Sequence, residues 1–203
     1  GITDQLKAYS TTLLQQGLHR QRQVNDANDG AINFSSSDYL SLTSHPRIKK
    51  AYQQGFMRYP TGSGSSMVVC GYHTAHKALE KAFADALNVD DCILFSSGYA
   101  ANLSVTGLIA HFAPHVLIDK SLHASIYDGL HLANATYSRY LHNNCTDLAS
   151  KVISTPENTV IMTEGTFSMS GQCAPLSEIV RFGRDVVVDE AHAFGILGHQ
   201  GLG

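Results

Sequence analysis

The chain has 203 residues, of which 43% are hydrophobic and 15% charged, and its formal net charge is -3 at pH 7. This balance gives no support for a nucleic-acid or polyanion binder, and no apolar run is long enough to span a bilayer. The start of the chain lacks the basic and apolar regions of a signal peptide, and the four cysteines form no C-x-x-C pair. We therefore expect a cytoplasmic protein with reduced thiols.

The first ninety residues predict helices and one glycine-rich loop. Apolar residues at roughly helical spacing predict an amphipathic helix over residues 2–24, and A-I-N-F predicts a short strand at 31–34. Pro46 suits the first turn of a second helix. A loop rich in glycine and serine follows at 60–71, and a helix with one apolar face at 73–88. We expect an N-terminal helical segment over residues 1–40 in front of a larger domain over residues 41–203.

From residue 91 onward, short apolar strands alternate with helical stretches. The predicted strands lie at 91–95, 115–119, 135–140, 159–163 and 185–189, and the predicted helices at 98–110, 123–133, about 145–153 and 176–183. This alternation predicts an α/β domain whose sheet is mostly parallel and covered by helices on both faces. The three valines of D-V-V-V-D at 185–189 predict a central strand that is buried on both faces.

Polar residues follow four of these strands. S-S-G-Y at 96–99 begins a helix whose free N–H groups suit a phosphate, and L-H-A-S places His123 after the next strand. T-E-G-T-F-S-M-S-G contains Ser168, and D-E-A-H contains Asp189 and His192. A cap or a turn explains each motif singly. Because the carboxyl ends of parallel strands meet at one edge, the four motifs together predict a single pocket.

This combination of groups suits pyridoxal 5'-phosphate (PLP). Its phosphate favours a helix N-terminus, its ring a flat stacking partner, and its pyridine nitrogen a carboxylate that keeps it protonated.

Two other interpretations are weaker. The loop G-S-G-S-S-M does not follow a strand and lacks the third glycine of a dinucleotide motif. The histidine pairs in H-T-A-H and H-F-A-P-H have no convincing additional ligand for a metal, so we predict none.

Five motifs occur in the order found in the α-oxoamine synthases: F-S-S-S-D-Y-L-S-L, S-S-G-Y-A-A-N, L-H-A-S, T-E-G-T-F-S-M-S-G and V-D-E-A-H-A-F-G-I-L-G. The chain resembles this family from about residue 5 to its last residue. The family comprises PLP-dependent transferases of fold type I, the aspartate aminotransferase-like fold, which condense an amino acid with an acyl thioester. The resemblance implies the same fold in truncated form, with the Schiff-base lysine and the C-terminal domain beyond residue 203. On this basis we expect the chain by itself to be inactive.

The resemblance also implies roles for individual residues at the cofactor. Gly98 and Tyr99 would hold the phosphate region, and His123 would stack on the pyridine ring. Asp189 would pair with the ring nitrogen. Among the lysines present, only Lys120 follows a strand, but it does not match the position of the family's lysine.

Four further residues belong to the same implied site. Ser168 and His192 would contact the cofactor near its O3′, and His123, Asp189 and His192 form the catalytic set. Arg20, with the nearby Arg22 as its alternative, and Ser37 would bind the substrate. Ser37 stands where the family usually has asparagine, which puts the amino-acid substrate in doubt.

Two segments, S-S-G-Y-A-A-N and T-F-S-M-S-G-Q-C-A-P-L, are most similar to one branch of the family. That branch joins L-alanine to a pimeloyl thioester, with loss of carbon dioxide, in biotin biosynthesis. The alternatives are a sister branch that uses glycine or a longer acyl donor, and a non-catalytic partner subunit. The resemblance implies small-molecule substrates and a homodimer with active sites at its interface. Neither nucleic acid nor a membrane is expected as a partner.

Overall fold

The computed structural model describes residues 1–24 and 32–203, and it divides into two compact units, Gly1–Ser36 and Ser37–Gly203. The first unit contains one helix, α1 (Ile2–Gln15), none of whose residues is buried. The predicted helix over 2–24 is therefore too long, because Gly17 takes a positive φ of 68° just after the helix end. Of the strand predicted at 31–34, residue 31 lies outside the described residues, and the other three residues form no strand.

The second unit follows the predicted alternation of helices and strands. Its elements in chain order are α2 (Pro46–Arg58), α3 (Thr74–Leu87), α4 (Gly98–Phe112), β1 (Val116–Asp119), α5 (Ala124–Leu132), β2 (Tyr137–Tyr140), α6 (Cys145–Ile153), β3 (Val160–Glu164), α7 (Leu176–Ile179) and β4 (Val186–Asp189). Short 3₁₀ turns lie at Val180–Phe182 and His199–Gly201. Local capping sets several helix starts: Ser97 Oγ accepts from the Ala100 N–H, and Asn144 Oδ1 accepts from the Asp147 N–H.

The four strands form a parallel sheet in the order β2-β1-β3-β4. Parallel neighbours need crossover connections, which α5, α6 and α7 provide. Strands β1 and β3 are buried along their whole length. Alternate residues of β1 enter different core clusters, with Val116 and Ile118 in one and Leu117 in the other. The sheet is therefore covered on both faces, and the predicted α/β architecture is confirmed.

Helices α4 and α5 pack closely because of a glycine. A Cβ at Gly129 of α5 would lie only 2.7 Å from Cβ of Thr106, a fully buried residue of α4. The two helices therefore approach more closely than any side chain at this position would permit. This approach brings the beginnings of α4 and α5, each of which carries predicted site residues, to the same edge of the sheet.

Two strand predictions differ from the structure. Residues 92–95 are apolar, but the segment 91–95 forms no strand: Ile93 is 71% exposed, and the Leu94 N–H donates to Glu80 Oε1 instead of to a strand. The valines of β4 are only half-buried, because β4 pairs with β3 alone within the described residues and lies at the edge of the sheet. Both predictions used local pattern, whereas a strand forms only beside a hydrogen-bonded neighbour, and its burial depends on the elements packed around it. Within the described ranges, we find no helix with the length and apolar character needed to cross a membrane.

Candidate functional site

The carboxyl ends of β3 and β4 and the beginnings of α4 and α5 surround a pocket of about 510 Å³, which we call the strand-end pocket. Its lining includes six of the eight predicted site residues: Gly98, Tyr99, His123, Ser168, Asp189 and His192. It also includes four polar residues for which no role was predicted: Asn102, Ser125, Glu164 and Glu190. The structure therefore brings together motifs that lie up to 94 positions apart in the chain.

Asp189 ends β4 with its carboxylate held by neutral donors. Its Oδ1 accepts from the Ala191 N–H at 2.9 Å, and its Oδ2 accepts from Asn102 Nδ2 at 2.8 Å. Asn102 Nδ2 also donates to Ser125 Oγ at 3.0 Å, so that one amide joins β4, α4 and α5. Among the described residues Asp189 has no cationic partner within ion-pair distance. A carboxylate that lines a pocket in this way suits a ligand that carries a positive charge.

His123 is the N-cap of α5, which fixes the position of its imidazole. Its Nδ1 accepts from the Ser125 N–H at 3.2 Å and lies 2.8 Å from Ser125 Oγ. The ring meets the Tyr99 ring edge-on, with centroids 6.3 Å apart. Because Nδ1 is engaged by its own helix, the imidazole is held as a flat group in the lining of the pocket.

Glu164, the last residue of β3, is a buried carboxylate that connects two parts of the site. Its Oε1 accepts from the His123 N–H at 2.7 Å, and its carboxylate also accepts from the backbone N–H of Ser168. It pairs in register with Asp189 of β4. Burial, and secondarily the negative charge of Asp189, raise the pKa of Glu164, while the two N–H donors oppose the rise. The signal for Glu164 was present in the sequence as a carboxylate at the end of a strand with an apolar centre, V-I-M.

The beginning of α4 forms a neutral, donor-rich wall of the pocket. Gly98 and Tyr99 are the first two residues of the helix, and within the described residues their backbone N–H groups have no acceptor. Apart from the adjacent residues and the backbone of α4 itself, no heavy atom lies within 4 Å of the position that a Cβ would take at Gly98. The Tyr99 hydroxyl donates to Asp128, which raises the pKa of Tyr99. Open N–H groups at a helix N-terminus suit an anion such as phosphate.

His192 lies in the turn after β4, and its Nδ1 is 2.6 Å from the hydroxyl oxygen of Tyr39. The two residues are 153 positions apart, and Tyr39 had no predicted role. With Nδ1 engaged by the phenol, Nε2 is the nitrogen left for a ligand. The neighbouring Glu190 has its pKa raised by burial first and by the charge of Asp189 second.

Two predicted substrate residues and the alternative lysine do not line the strand-end pocket. Arg20 belongs to the first unit, in the segment after α1, and Ser37 is exposed at the start of the second unit. Their roles stay predictions. Lys120 is exposed, and its backbone N–H donates to the Tyr140 carbonyl at 3.0 Å. Within the described part of the chain, the pocket lining contains no lysine.

Comparison with known proteins relates this geometry to one enzyme family. The model described as "Aminotransferase class I and II" matches residues 29–202. The 8-amino-7-oxononanoate synthase of Methylococcus capsulatus is 42% identical over 182 residues, which cover 86% of this chain and 47% of the relative. The chain spans about half the length of the curated relatives it matches.

Solved structures are similar over the same part of the chain. A serine palmitoyltransferase from S. paucimobilis, determined with a bound adduct of PLP and myriocin, has a TM-score of 0.80 at 31% identity, covering 98% of this chain and 54% of that one. The 8-amino-7-oxononanoate synthase from Francisella tularensis has a TM-score of 0.72 at 35% identity, covering 86% of this chain and 49% of that one. The backbone arrangement around the strand-end pocket is thus one that occurs in a PLP-binding protein.

Proposed function

This chain belongs to the aminotransferase class I and II family, and from this premise we propose that it forms the PLP site of an acyltransferase. The proposed reaction is the decarboxylative condensation of L-alanine with a pimeloyl thioester, on coenzyme A or a carrier protein, which yields 8-amino-7-oxononanoate in biotin biosynthesis. The names of the curated relatives at 42% identity support this choice within the family. The complete protein acts, in this proposal, as a cytoplasmic homodimer.

The residues of the strand-end pocket fit PLP at three points. The Asp189 carboxylate, which has neutral donors but no cation among the described residues, suits a protonated ring nitrogen. The open N–H groups at Gly98 and Tyr99 suit the phosphate. The imidazole of His123 is a flat group in the same lining and suits the pyridine ring. The carboxylate of Asp189 with its unmatched charge is the observation that carries the proposal.

PLP, when bound, withdraws electrons from the α-carbon of an amino-acid substrate through its protonated ring. Asp189 holds that proton on the ring nitrogen, and the Asn102 amide keeps the carboxylate oriented toward the pocket. Glu164 fixes the backbone at His123 and Ser168, so that the stacking ring and the Ser168 hydroxyl keep their positions. His192, engaged by Tyr39 through Nδ1, presents Nε2 for a hydrogen bond.

The test is an assay of the complete gene product with L-alanine and pimeloyl thioester. We expect release of carbon dioxide and free thiol, together with a visible absorption band from bound PLP. Activity only with serine or glycine, or only with a longer acyl thioester, would assign the protein to a sister branch of the family. The structural likeness to serine palmitoyltransferase, with a TM-score of 0.80, makes this the alternative to measure in parallel. PLP binding without turnover of any of these substrates would support a non-catalytic subunit.

A further inference from the structure

A second polar cluster lies at the end of β1, next to the strand-end pocket but outside its lining. Asp119 is completely buried, and its carboxylate accepts from the Ser121 N–H and the Asn143 N–H, each at 2.8 Å. His142 Nδ1 lies 3.0 Å from Asp119 Oδ1. A buried carboxylate is stable only when several donors surround it, so these contacts fix the segment after β2 to the end of β1.

His142 extends from this anchor to the loop after β3. Its Nε2 lies 2.7 Å from Gln172 Oε1, and its ring meets the Phe167 ring edge-on with centroids 4.4 Å apart. The neighbouring Asn143 donates from Nδ2 to the Cys173 carbonyl at 3.0 Å. The contacts pass over the end of β1, because β1 lies between β2 and β3 in the sheet.

The loop that receives these contacts, residues 165–174, carries Ser168 into the strand-end pocket, and we call it the Ser168 loop. It closes on itself: the Phe167 N–H donates to the Gln172 carbonyl at 2.9 Å, and the Gly171 N–H donates to the Phe167 carbonyl at 2.8 Å. His142 therefore contacts both residues that join the two sides of this turn. Ser168 itself is exposed next to Met169, which is 97% exposed, so its position depends on its N–H bond to Glu164 and on anchors elsewhere in the loop.

We propose that His142, oriented by Asp119, is a positioning residue that fixes the Ser168 loop at the strand-end pocket. Glu164, which lines the pocket, holds the loop through the Ser168 N–H, and His142, which lies outside the lining, holds it through Gln172 and Phe167. This role rests on the proposed function: His142 does not touch the cofactor, but it determines how tightly Ser168 holds the cofactor.

The first test is amide hydrogen exchange on the complete gene product without PLP. In His142→Ala, we expect peptides over residues 165–174 to exchange about tenfold faster, the factor that corresponds to loss of one hydrogen bond. Gln172→Ala removes the other partner of the His142 hydrogen bond. Because Gln172 is exposed, this variant can be measured even if His142→Ala does not fold. If both substitutions act through one contact, the double variant exchanges no faster than His142→Ala alone.

The matched control is His115→Ala. Like His142, His115 is a partly buried histidine whose ring forms a side-chain hydrogen bond. Its Nε2 lies 2.9 Å from Ser138 Oγ, but the residue lies at the opposite end of β1 from His142. We expect this control to leave the exchange of residues 165–174 unchanged. Exchange in His142→Ala that equals that of the unsubstituted protein, or that rises uniformly along the chain, would overturn the proposal.

The second test measures PLP affinity and the visible circular dichroism of the bound cofactor. His142→Ala and Gln172→Ala should each weaken PLP binding by about tenfold and alter the dichroic band, whereas His115→Ala should do neither. Unchanged affinity and an unchanged band in both variants would contradict the positioning role. The two tests separate the two proposals: if the unsubstituted protein binds no PLP, the proposed function fails, while the exchange experiment still decides whether His142 holds the loop.

Discussion

Replacement of Asn102 by alanine tests whether one amide holds the pocket together. The substitution removes a hydrogen bond to the charged Asp189, worth about 1.5–3 kcal/mol, and a neutral one to Ser125, worth about 0.5–1.5 kcal/mol. Alanine offsets roughly 0.6 kcal/mol of this loss, because its helix propensity within α4 is higher than that of asparagine. Water that enters the open pocket replaces part of the lost donor. We therefore expect the free energy of unfolding to fall by about 1–3 kcal/mol.

Urea denaturation of the complete gene product measures this loss. With a slope of about 2 kcal/mol per molar in urea, the midpoint should fall by about 0.5–1.5 M. Ser104→Ala is the matched control, since Ser104 is exposed on the same helix and should change stability by less than about 0.5 kcal/mol. An Asn102→Ala midpoint equal to that of the control would show that the amide does not hold Asp189.

Asn102→Asp probes the same contact with an isosteric change of charge. It replaces the donor with a second carboxylate that faces Asp189 at the distance of a hydrogen bond. Two carboxylates in such contact repel each other unless one of them binds a proton. This variant should be less stable than Asn102→Ala at pH 7 and should recover toward it near pH 4. A stability difference that does not depend on pH would refute the electrostatic part of the reasoning.

Three further substitutions test the site. Asp189→Asn should lower turnover by roughly 100-fold or more while the protein still folds, and undiminished turnover would refute the role of Asp189. Tyr39→Phe removes the phenol from His192, so the imidazole nitrogen signals in NMR should shift toward those of a mixture of tautomers; unaltered signals would contradict the contact. Because the folded state raises the pKa of Glu164, folded protein holds this proton more tightly than unfolded protein, and stability falls as pH rises above about 4. Glu164→Gln should flatten that decline in urea titrations between pH 4 and 8, although Glu190 contributes in the same direction; an equal decline in the variant would argue against the buried charge.

The pocket was predictable from sequence to the extent that strand ends determine it. His123, Ser168 and Asp189 each follow a short apolar strand, and parallel strands bring their carboxyl ends to one edge whatever the details of packing. The contacts made by Asn102 and Tyr39 were not predictable in this way. Asn102 meets Asp189 because α4 has a particular rotation about its axis, and Tyr39 meets His192 across 153 positions.

The strand errors have one physical cause. Residues 91–95 and the valines of β4 have the composition of buried strands, and composition reports how well side chains suit a pleated surface. Whether a strand forms, and whether both of its faces are covered, depends on neighbours that a local pattern does not contain. Residues 91–95 lack a strand partner within the described part of the chain, and β4 has one on only one side.

The charges of the strand-end pocket specify the kind of ligand that fits it. Glu164, Asp189 and Glu190 bring three carboxyl groups together, and the lining contains no lysine or arginine among the described residues. Burial raises the pKa values of Glu164 and Glu190 and so favours their neutral forms, whereas Asp189 receives two donors and faces the cavity. A ligand therefore gains most by placing a positive group at Asp189 and a negative group at the beginning of α4. A protonated pyridine ring that carries a phosphate has this distribution of charge, and a purely anionic ligand of the same size does not.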